Sequence, residues 1–388
     1  MFDCYNSHTQ SIKLIFKNKE KTMTYLKDLE TIININSYTK NKAGVDLIST
    51  YMTKWLEALG FENICYKREH IGDHNLYVSP KTDGIKILLL GHNDTVFPQG
   101  KFEDFREDEA WVYGPGVCDM KGGNIVALQA LRNVYEKNGK IENIDILLVS
   151  DEETGSDNSK TLSSKLAKDY DVCFVFEAAG EKLEVVTGRK GVGTFTITIE
   201  GKASHAGVRY EAGINANLEA AHKLIELTKL TNLKIGTTVN VGKIEGGIGA
   251  NTISPASTLL LELRYTQNSE RDRLLKALKS ITNTSYVKGT KATLSGLIQR
   301  DVMEPNNEQS RLIKQIETIS DTILLTEQRG GVSDANIIAS QGVTTLDGFG
   351  PFGDGDHTVN ERALKSSFEQ RIELMTKILT HHQEFKQF

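Results

Sequence analysis

Short apolar runs alternate with helical segments from Ile85 onward, and this alternation constrains the fold more than any other feature of the chain. In order, the pattern predicts a strand at 85–90, a helix at 123–135, a strand at 144–149, a helix near 162–167 and a strand at 172–176. Strands and helices in alternation build a mostly parallel α/β sheet. The run Ile-Leu-Leu-Val at 146–149 has no alternating polar positions, which favours strands covered by helices on both faces.

The pattern changes near Gly188. Residues 194–199 alternate threonine with large apolar side chains, which is typical of a strand with one buried and one solvated face. After it we predict a helix at 215–230, strands at 237–244 and 259–263, a helix at 270–281 and a strand at 286–297. The order β-α-β-β-α-β is that of a ferredoxin-like domain.

The alternation of helical and strand segments resumes beyond Val302, with predicted helices at 309–319 and from residue 363 to the end. A chain of 388 residues exceeds what one core usually organises. We therefore expect a main domain of residues 23–188 and 302–388 and an inserted α+β domain of residues 189–301. Residues 1–22 are expected to be a tail outside the fold. His381 and His382 fall in the polar terminal helix and are expected to face solvent.

Composition excludes two classes of partner. The formal net charge of −5 lacks the basic excess that nucleic-acid binding needs, and no apolar run approaches a membrane span of about 18 residues. The lysine-bearing N-terminus has no apolar core and no small-residue cleavage site, so we expect a cytoplasmic protein. The cysteines are widely scattered and predict reduced thiols: Cys4, Cys65, Cys118 and Cys173.

Acidic and histidine residues follow the predicted strands, where ligands bind in parallel α/β sheets. They are His92 with Asp94, Asp119, Glu152 with Glu153, Glu177 and, near the C-terminus, His357. Each cluster alone is a weak signal. Together they offer two histidines and three carboxylates as ligands, with a further carboxylate and an outer partner left over. A two-metal hydrolytic centre requires that set.

Four motifs carry a resemblance to a known family. They are Gly-His-Asn-Asp-Thr-Val at 91–96, Gly-Val-Cys-Asp-Met-Lys-Gly-Gly at 116–123, Gly-Lys-Ala-Ser-His-Ala-Gly at 201–207 and Gly-Asp-His-Thr-Val-Asn-Glu at 355–361. In this order, around an inserted domain, they resemble the zinc metallopeptidases that include glutamate carboxypeptidase (carboxypeptidase G type), aminoacylase, acetylornithine deacetylase and succinyl-diaminopimelate desuccinylase. The resemblance spans roughly residues 25–380 and is nearest to the glutamate carboxypeptidase type.

The resemblance implies a ligand set for two zinc ions, with Co²⁺ or Mn²⁺ as possible substitutes. Asp119 would bridge both ions, His92 and Glu177 would complete one site, and Glu153 and His357 the other. Imidazole and carboxylate without thiolate keep zinc Lewis acidic. The resemblance also implies a cis peptide bond after Asp119.

Two carboxylates next to the ligands have implied roles of their own. Asp94 would accept the other ring N–H of His92 and so fix its tautomer. Glu152 would take a proton from water as general base and pass it to the leaving nitrogen.

The inserted domain has implied roles in substrate binding and in dimerisation. His205 would stabilise the tetrahedral oxyanion, often from the partner subunit in similar enzymes. Arg264 and Asn251 would hold a substrate carboxylate, which suits a guanidinium fork. The remaining substrate-binding candidates lie in one loop: Gly330, Gly331 and Ser333.

The function expected is hydrolysis of a C-terminal amide bond in a small peptide or N-acyl amino acid with a free carboxylate, releasing glutamate by preference. A deacylase of the same family acting on N-acyl amino acids is the first alternative. An aminopeptidase is less favoured, because such relatives tend to have aspartate at the position of Glu177. A different alternative is an inactive descendant that serves as a binding or dimerisation module. A homodimer through the inserted domain is an implication of the resemblance alone.

Overall fold

The computed structural model describes residues 25–388, which divide into two compact units. The first unit contains the described residues up to Thr187, then Asn306–Glu327 and Ser333–Phe388. The second contains Gly188–Pro305 and Gln328–Val332. The predicted tail of residues 1–22 and Cys4 lie outside the described residues.

One part of the predicted domain division is wrong. Residues 188, 302–305 and 328–332 are predicted to belong to the main domain, but they cluster with the second unit. Hydrogen bonds within that unit explain this, because the Lys190 N–H donates to the Arg329 carbonyl at 3.2 Å and Arg264 Nη1 donates to the Gly330 carbonyl at 2.9 Å. The spacing of apolar residues does not show which of two domains a short segment at their boundary joins.

The described residues form strands and helices with the following bounds. The strands are β1 Glu62–Tyr66, β2 His74–Val78, β3 Ile87–His92, β4 Arg106–Glu107, β5 Trp111–Tyr113, β6 Ile144–Val149, β7 Val172–Val175, β8 Val185–Arg189, β9 Gly191–Glu200, β10 Thr238–Gly246, β11 Ala256–Tyr265, β12 Lys291–Arg300, β13 Thr326–Arg329, β14 Thr344–Leu346, β15 Gly353–Asp354 and β16 Arg362–Leu364. The helices are α1 at 25–33, α2 Lys42–Glu57, α3 Lys121–Asn138, α4 Lys160–Ala167, α5 Ala216–Thr228, α6 Asn268–Asn283, α7 Asn307–Ser320, α8 Ala335–Ala339 and α9 Lys365–Phe385.

The central sheet of the first unit has the strand order β1-β2-β6-β3-β7-β14. Strands β6, β3, β7 and β14 run parallel, whereas β2 and β1 are added antiparallel at one edge. Every residue of β3 and of β6 is buried, as the continuous apolar runs predict. The predicted α/β fold with a mostly parallel sheet is confirmed.

Helix α3 approaches the sheet very closely at its first turn. A side chain on Gly123 would place its Cβ 1.8 Å from the carbonyl oxygen of Phe176, and one on Gly122 would lie 2.0 Å from that of Val117. Only glycine fits where two backbones come this near. The Lys-Gly-Gly sequence therefore lets α3 begin directly beside the residues that follow β7, which fixes the loop that bears Asp119.

The C-terminal helix α9 packs against α3, and Asn133 Nδ2 donates to Thr376 Oγ1 at 3.1 Å. The prediction that His382 faces solvent is wrong, because the residue is fully buried and its Nε2 lies 2.8 Å from the Ile85 carbonyl oxygen. The helix has few apolar residues in its last turn, so the sequence pattern gives no sign of this contact.

The second unit has the predicted order β9-α5-β10-β11-α6-β12, with an antiparallel sheet in the spatial order β10-β11-β9-β12. The alternating residues Phe195, Ile197 and Ile199 face its core. The last strand starts at Lys291, five residues later than residue 286 as predicted. In between, the Thr290 N–H donates to the Val287 carbonyl at 3.1 Å, so a turn takes the place of the start of the strand.

Across residues 25–388, the structure has no helix that combines the length and the apolar character needed to cross a membrane.

Candidate metal centre

Three neighbouring parallel strands bring predicted ligands to one edge of the central sheet. His92 is the last residue of β3, and Glu177 follows the end of β7. Glu152 and Glu153 open a single 3₁₀ turn, Glu152–Thr154, just after β6. Because β6, β3 and β7 are adjacent and parallel, their carboxyl ends point the same way.

The other two predicted ligands come from loops on a small second sheet of the same unit, ordered β15-β16-β5-β4. Strand β5 leads into the loop that bears Asp119, and the antiparallel strand β16 follows the turn that bears His357. The peptide bond between Asp119 and Met120 is cis, which confirms that expectation.

Asp119 lies between two imidazoles. Its Oδ1 is 3.2 Å from His92 Nε2, and its Oδ2 is 3.2 Å from His357 Nε2. Each carboxylate oxygen thus faces a different histidine. A carboxylate in that position can join two cations side by side.

A second carboxylate accompanies each histidine. Glu153 Oε2 lies 3.1 Å from His357 Nε2, and Glu177 Oε1 lies 3.8 Å from His92 Nε2. Donor atoms of His92, Asp119 and Glu153 fall within 4.8 Å of one another. The predicted ligands therefore form two groups of side chains that share Asp119.

The site concentrates negative charge in a buried place. Burial and the charge of Asp119 raise the pKa of Glu153 to about 8 and hold that of Glu177 well above its ordinary value. Hydrogen bonds to Asp119 and Glu153 raise the pKa of His357 to about 11. The carboxylates therefore favour partners of positive charge.

These residues fit a pair of divalent cations. The donors are imidazole nitrogens and carboxylate oxygens, the ligand types that catalytic zinc sites use. The side chains of Glu153 and Glu177 are buried beside Asp119. Burying three carboxylates together costs free energy unless cations offset their charge, and two divalent cations would do so.

Asp94 is fully buried and contacts both His92 and the turn that bears Glu152 and Glu153. His92 Nδ1 lies 3.0 Å from the backbone carbonyl oxygen of Asp94 and 3.4 Å from its Oδ1, so the nearer acceptor is the main chain. The Asp94 carboxylate accepts from Thr39 Oγ1 at 2.7 Å and from the N–H groups of Glu152 and Glu153 at 3.3 Å each. Thr39 is a partner that the sequence did not indicate.

Glu152 shares the 3₁₀ turn with Glu153 and is half-buried. Its charge contributes to raising the pKa of both Glu153 and Glu177. The Glu152 carboxylate is therefore part of the same electrostatic environment as the predicted ligands.

In the second unit, His205 and Asn251 lie on two neighbouring segments. The Ala206 N–H donates to the Asn251 carbonyl at 2.9 Å, and His205 pairs with Thr252 in an isolated β-bridge. The exposed His205 ring accepts at Nδ1 from the Gly207 N–H at 3.2 Å. A neutral ring that accepts at Nδ1 carries its proton on Nε2.

The second unit also holds Arg264 in a defined position. Its Nε and Nη2 donate to the two carboxylate oxygens of Glu262 at 2.7 and 3.3 Å, and its Nη1 donates to the Gly330 carbonyl at 2.9 Å. A guanidinium has five N–H groups, so these bonds use three of them. The sequence did not indicate the contact with Glu262.

The other loop candidates have contrasting environments. Gly330 and Gly331 are exposed, with open space where a side chain would stand. Ser333, which belongs to the first unit, is buried and its hydroxyl donates to Asp347 Oδ2 at 2.9 Å. Its role as a substrate contact stays a prediction.

Comparison with known proteins agrees with this geometry. Residues 88–381 match Peptidase family M20/M25/M40, and the chain belongs to this family. Carboxypeptidase G2 of Pseudomonas sp. (strain RS-16) is 29% identical over 349 residues, which covers 86% of this chain and 83% of the relative. Succinyl-diaminopimelate desuccinylase of Helicobacter pylori (strain Shi470) is 25% identical over 393 residues, covering 92% of this chain and 97% of the relative.

Among solved structures, aminopeptidase PepT of Bacillus cereus has a TM-score of 0.78 at 22% identity, covering 92% of this chain and 98% of that chain. That likeness concerns the fold. The predicted family resemblance is confirmed, and the protein is an enzyme of the metallopeptidase and amidohydrolase type.

Proposed function

We propose that this enzyme hydrolyses the C-terminal amide bond of a small peptide or N-acyl amino acid and releases glutamate by preference. The observation that carries the proposal is the position of Asp119, one oxygen of which faces His92 and the other His357 at 3.2 Å each. Carboxypeptidase G2, the relative that is 29% identical over most of both chains, supports the choice of a carboxypeptidase.

Five residues would hold two zinc ions: Asp119 between them, His92 and Glu177 on one side, and Glu153 and His357 on the other. When bound, the ions supply positive charge that acidifies a water molecule and polarises the amide carbonyl.

The side chains next to these ligands would transfer the proton and position His92. Glu152 takes the proton of the attacking water and delivers it to the leaving nitrogen, as its place beside Glu153 allows. Asp94 holds His92 through the contact at Nδ1 and fixes the turn that bears Glu152 by accepting its amide N–H.

Residues of the second unit would bind the substrate. His205 donates from Nε2 to the developing oxyanion, since its Nδ1 is already an acceptor. Arg264 uses the two N–H groups that remain after Glu262 and Gly330 to bind the substrate carboxylate, and Asn251 assists it. Gly330, Gly331 and Ser333 would line the loop behind the substrate.

The test is amino acid release from a panel of N-acyl-glutamates, the matching N-acyl-alanines and dipeptides, with zinc present. We expect release of glutamate, and Glu152→Gln should lower kcat by about 10²–10⁴-fold while zinc content stays that of the wild type. Arg264→Gln should raise KM for the glutamate substrates more than it lowers kcat. Turnover of the dipeptides but of none of the N-acyl-glutamates, without any effect of Arg264→Gln, would show that a free amino group is required and would contradict the carboxypeptidase assignment.

A deacylase that removes a succinyl or acetyl group is the second candidate. It is favoured by the length of the match to succinyl-diaminopimelate desuccinylase, which covers 97% of that relative. Activity confined to succinyl and acetyl amino acids in the same panel would select it.

We also propose that the chain forms a homodimer through the second unit. Large apolar side chains are exposed there, among them Val208 at 74%, Leu233 at 76% and Ile248 at 74%. β10 also stands at the edge of its sheet. Sedimentation equilibrium should give twice the chain mass, and a monomer at all concentrations would contradict this.

A further inference from the structure

Glu361 is a buried carboxylate that none of the steps above uses. It lies four residues after His357, immediately before β16, and is 1% exposed. Burying a carboxylate is costly unless hydrogen bonds or a cation offset its charge. The groups that contact the Glu361 carboxylate therefore indicate its role.

Three amide N–H groups of a single loop converge on this carboxylate. Gly116 N donates to Oε2 at 3.0 Å, whereas Cys118 N and Asp119 N donate to Oε1 at 2.9 and 3.1 Å. The loop can turn its N–H groups inward because Gly116 adopts a φ of 86°, which favours glycine. The last of these N–H groups belongs to the residue whose side chain lies between the two histidines.

The main chain of Glu361 fixes the other ligand loop. Its N–H donates to the Thr358 carbonyl at 3.2 Å, and the Thr358 N–H donates to the Gly355 carbonyl at 2.9 Å. The turn Gly355–Thr358 thus contains His357, and the next turn, Thr358–Glu361, connects it to Glu361. The Glu361 carbonyl also accepts from the Gly114 N–H at 3.4 Å, where β5 and β16 leave their sheet.

We propose that Glu361 is a positioning residue for the metal centre: it fastens the loop of Asp119 to the turn of His357 and so sets the spacing of these two ligands. The inference rests on the proposed function, because it assigns the two residues as ligands. Ligand geometry must hold within about 0.5 Å for a site to bind its metal well, so small shifts of the Asp119 backbone matter.

Glutamine is the informative substitution at this position. It keeps the shape of glutamate, but its NH₂ group would face an N–H group of the loop, so at least one of the three hydrogen bonds is lost. Glu219→Gln is a matched control. Glu219 is also 1% exposed and accepts a backbone N–H, that of Val287, but it lies in the second unit.

The experiment is titration of the metal-free full-length chain with Co²⁺, followed by visible absorption, for the wild type, Glu361→Gln and Glu219→Gln. We expect Glu361→Gln to weaken Co²⁺ binding by about 10–100-fold and to change the absorption bands. Glu219→Gln should keep the affinity and spectrum of the wild type, even where it lowers the melting temperature. Glu361→Asp, which keeps the charge but withdraws the oxygens by one methylene, should also weaken binding.

The two possible failures are distinct. A folded Glu361→Gln or Glu361→Asp variant with the Co²⁺ affinity and spectrum of the wild type would overturn the positioning role and leave the proposed function intact. A wild-type chain that binds no Co²⁺ would overturn the proposed function, and the assignment of Glu361 with it.

Discussion

Asp94 connects three parts of the metal centre through one carboxylate and its own main chain. It contacts His92, accepts from Thr39 and accepts from the N–H groups of the turn that bears Glu152 and Glu153. We expect Asp94→Ala to lower zinc affinity by about 10–100-fold, measured by competition with a chelating dye. Thr39→Val removes a single hydrogen bond to the same carboxylate and should have a much smaller effect. Equal losses in the two variants would contradict this account of Asp94.

Asp73 gives the first unit a defined dependence of stability on pH. It is buried and its carboxylate accepts from Lys42 Nζ at 2.7 Å, Lys67 Nζ at 2.7 Å and the Arg68 N–H at 2.9 Å. Burial opposes ionisation, but these bonds hold the pKa of Asp73 well below its ordinary value. A lowered pKa in the folded state stabilises it above the unfolded pKa of about 3.9, and this contribution is lost as the pH falls through the folded pKa.

We therefore expect Asp73→Asn to lower the free energy of unfolding by about 1–3 kcal/mol at pH 7, with the difference from the wild type shrinking below about pH 4. Urea unfolding followed by tryptophan fluorescence measures this, because Trp55 and Trp111 both belong to the first unit. The exposed Asp83→Asn is the control and should show no such dependence. A constant difference between pH 7 and pH 3 would contradict the assignment.

Single residues differ in how far the sequence could locate them. His92 and Glu177 follow runs of apolar residues, and parallel strands must end at the same edge, so their meeting could be predicted. Thr39 meets Asp94 across 55 residues of sequence and Glu361 meets Gly116 across 245. Neither contact leaves a periodic pattern, and so neither could be found without the structure.

At the scale of elements, the buried Lys223 forms an ion pair within α5 and links this helix to the end of α6. Lys223 of α5 is 2.9 Å from Glu219 Oε1, and its Nζ donates to the Ile281, Thr282 and Thr284 carbonyls at the end of α6. Removing the lysine would leave a buried carboxylate and these carbonyls without their cation. Such losses cost about 3–5 kcal/mol.

We expect Lys223→Met to accelerate amide hydrogen exchange throughout α5 and α6, measured by mass spectrometry on peptides of the folded chain. Lys229→Met at the end of α5 is the control. Lys229 pairs with Glu226 with 63% of its side chain exposed, so its loss should cost about 1 kcal/mol or less. The same rise in exchange for both variants would contradict the role of the buried pair.

The longer elements were predictable and the shortest were not. Helices such as α3 and α7 have enough residues to establish a period, and so do strands β9 and β11. Strands β4 and β15 have two residues each, and β5 and β16 have three, which is too few for a pattern. Yet this small sheet carries the loops of Asp119 and His357, so the sequence could indicate these residues as predicted ligands without showing what positions them.

At the scale of the whole molecule, we expect the carboxylates of the proposed centre to make stability depend on divalent cations. Glu153 and Glu177 are buried close to Asp119 and repel it. A cation that binds the folded chain alone should add about 2.7 kcal/mol of stability at 100 times its dissociation constant. We expect the melting temperature to rise with zinc concentration in the wild type. His70→Ala, at an exposed histidine, should respond alike, whereas His92→Ala should lose most of the rise. A wild-type melting temperature that does not change with zinc concentration would contradict the proposed centre.

The most direct test of the central claim is the number of zinc ions bound per chain, measured by elemental analysis after dialysis against dilute zinc. The account predicts two in the wild type and fewer in His92→Ala and in His357→Ala, because each variant loses one of the imidazoles that face Asp119. A wild-type chain with no bound zinc, or variants that keep the full content, would contradict it.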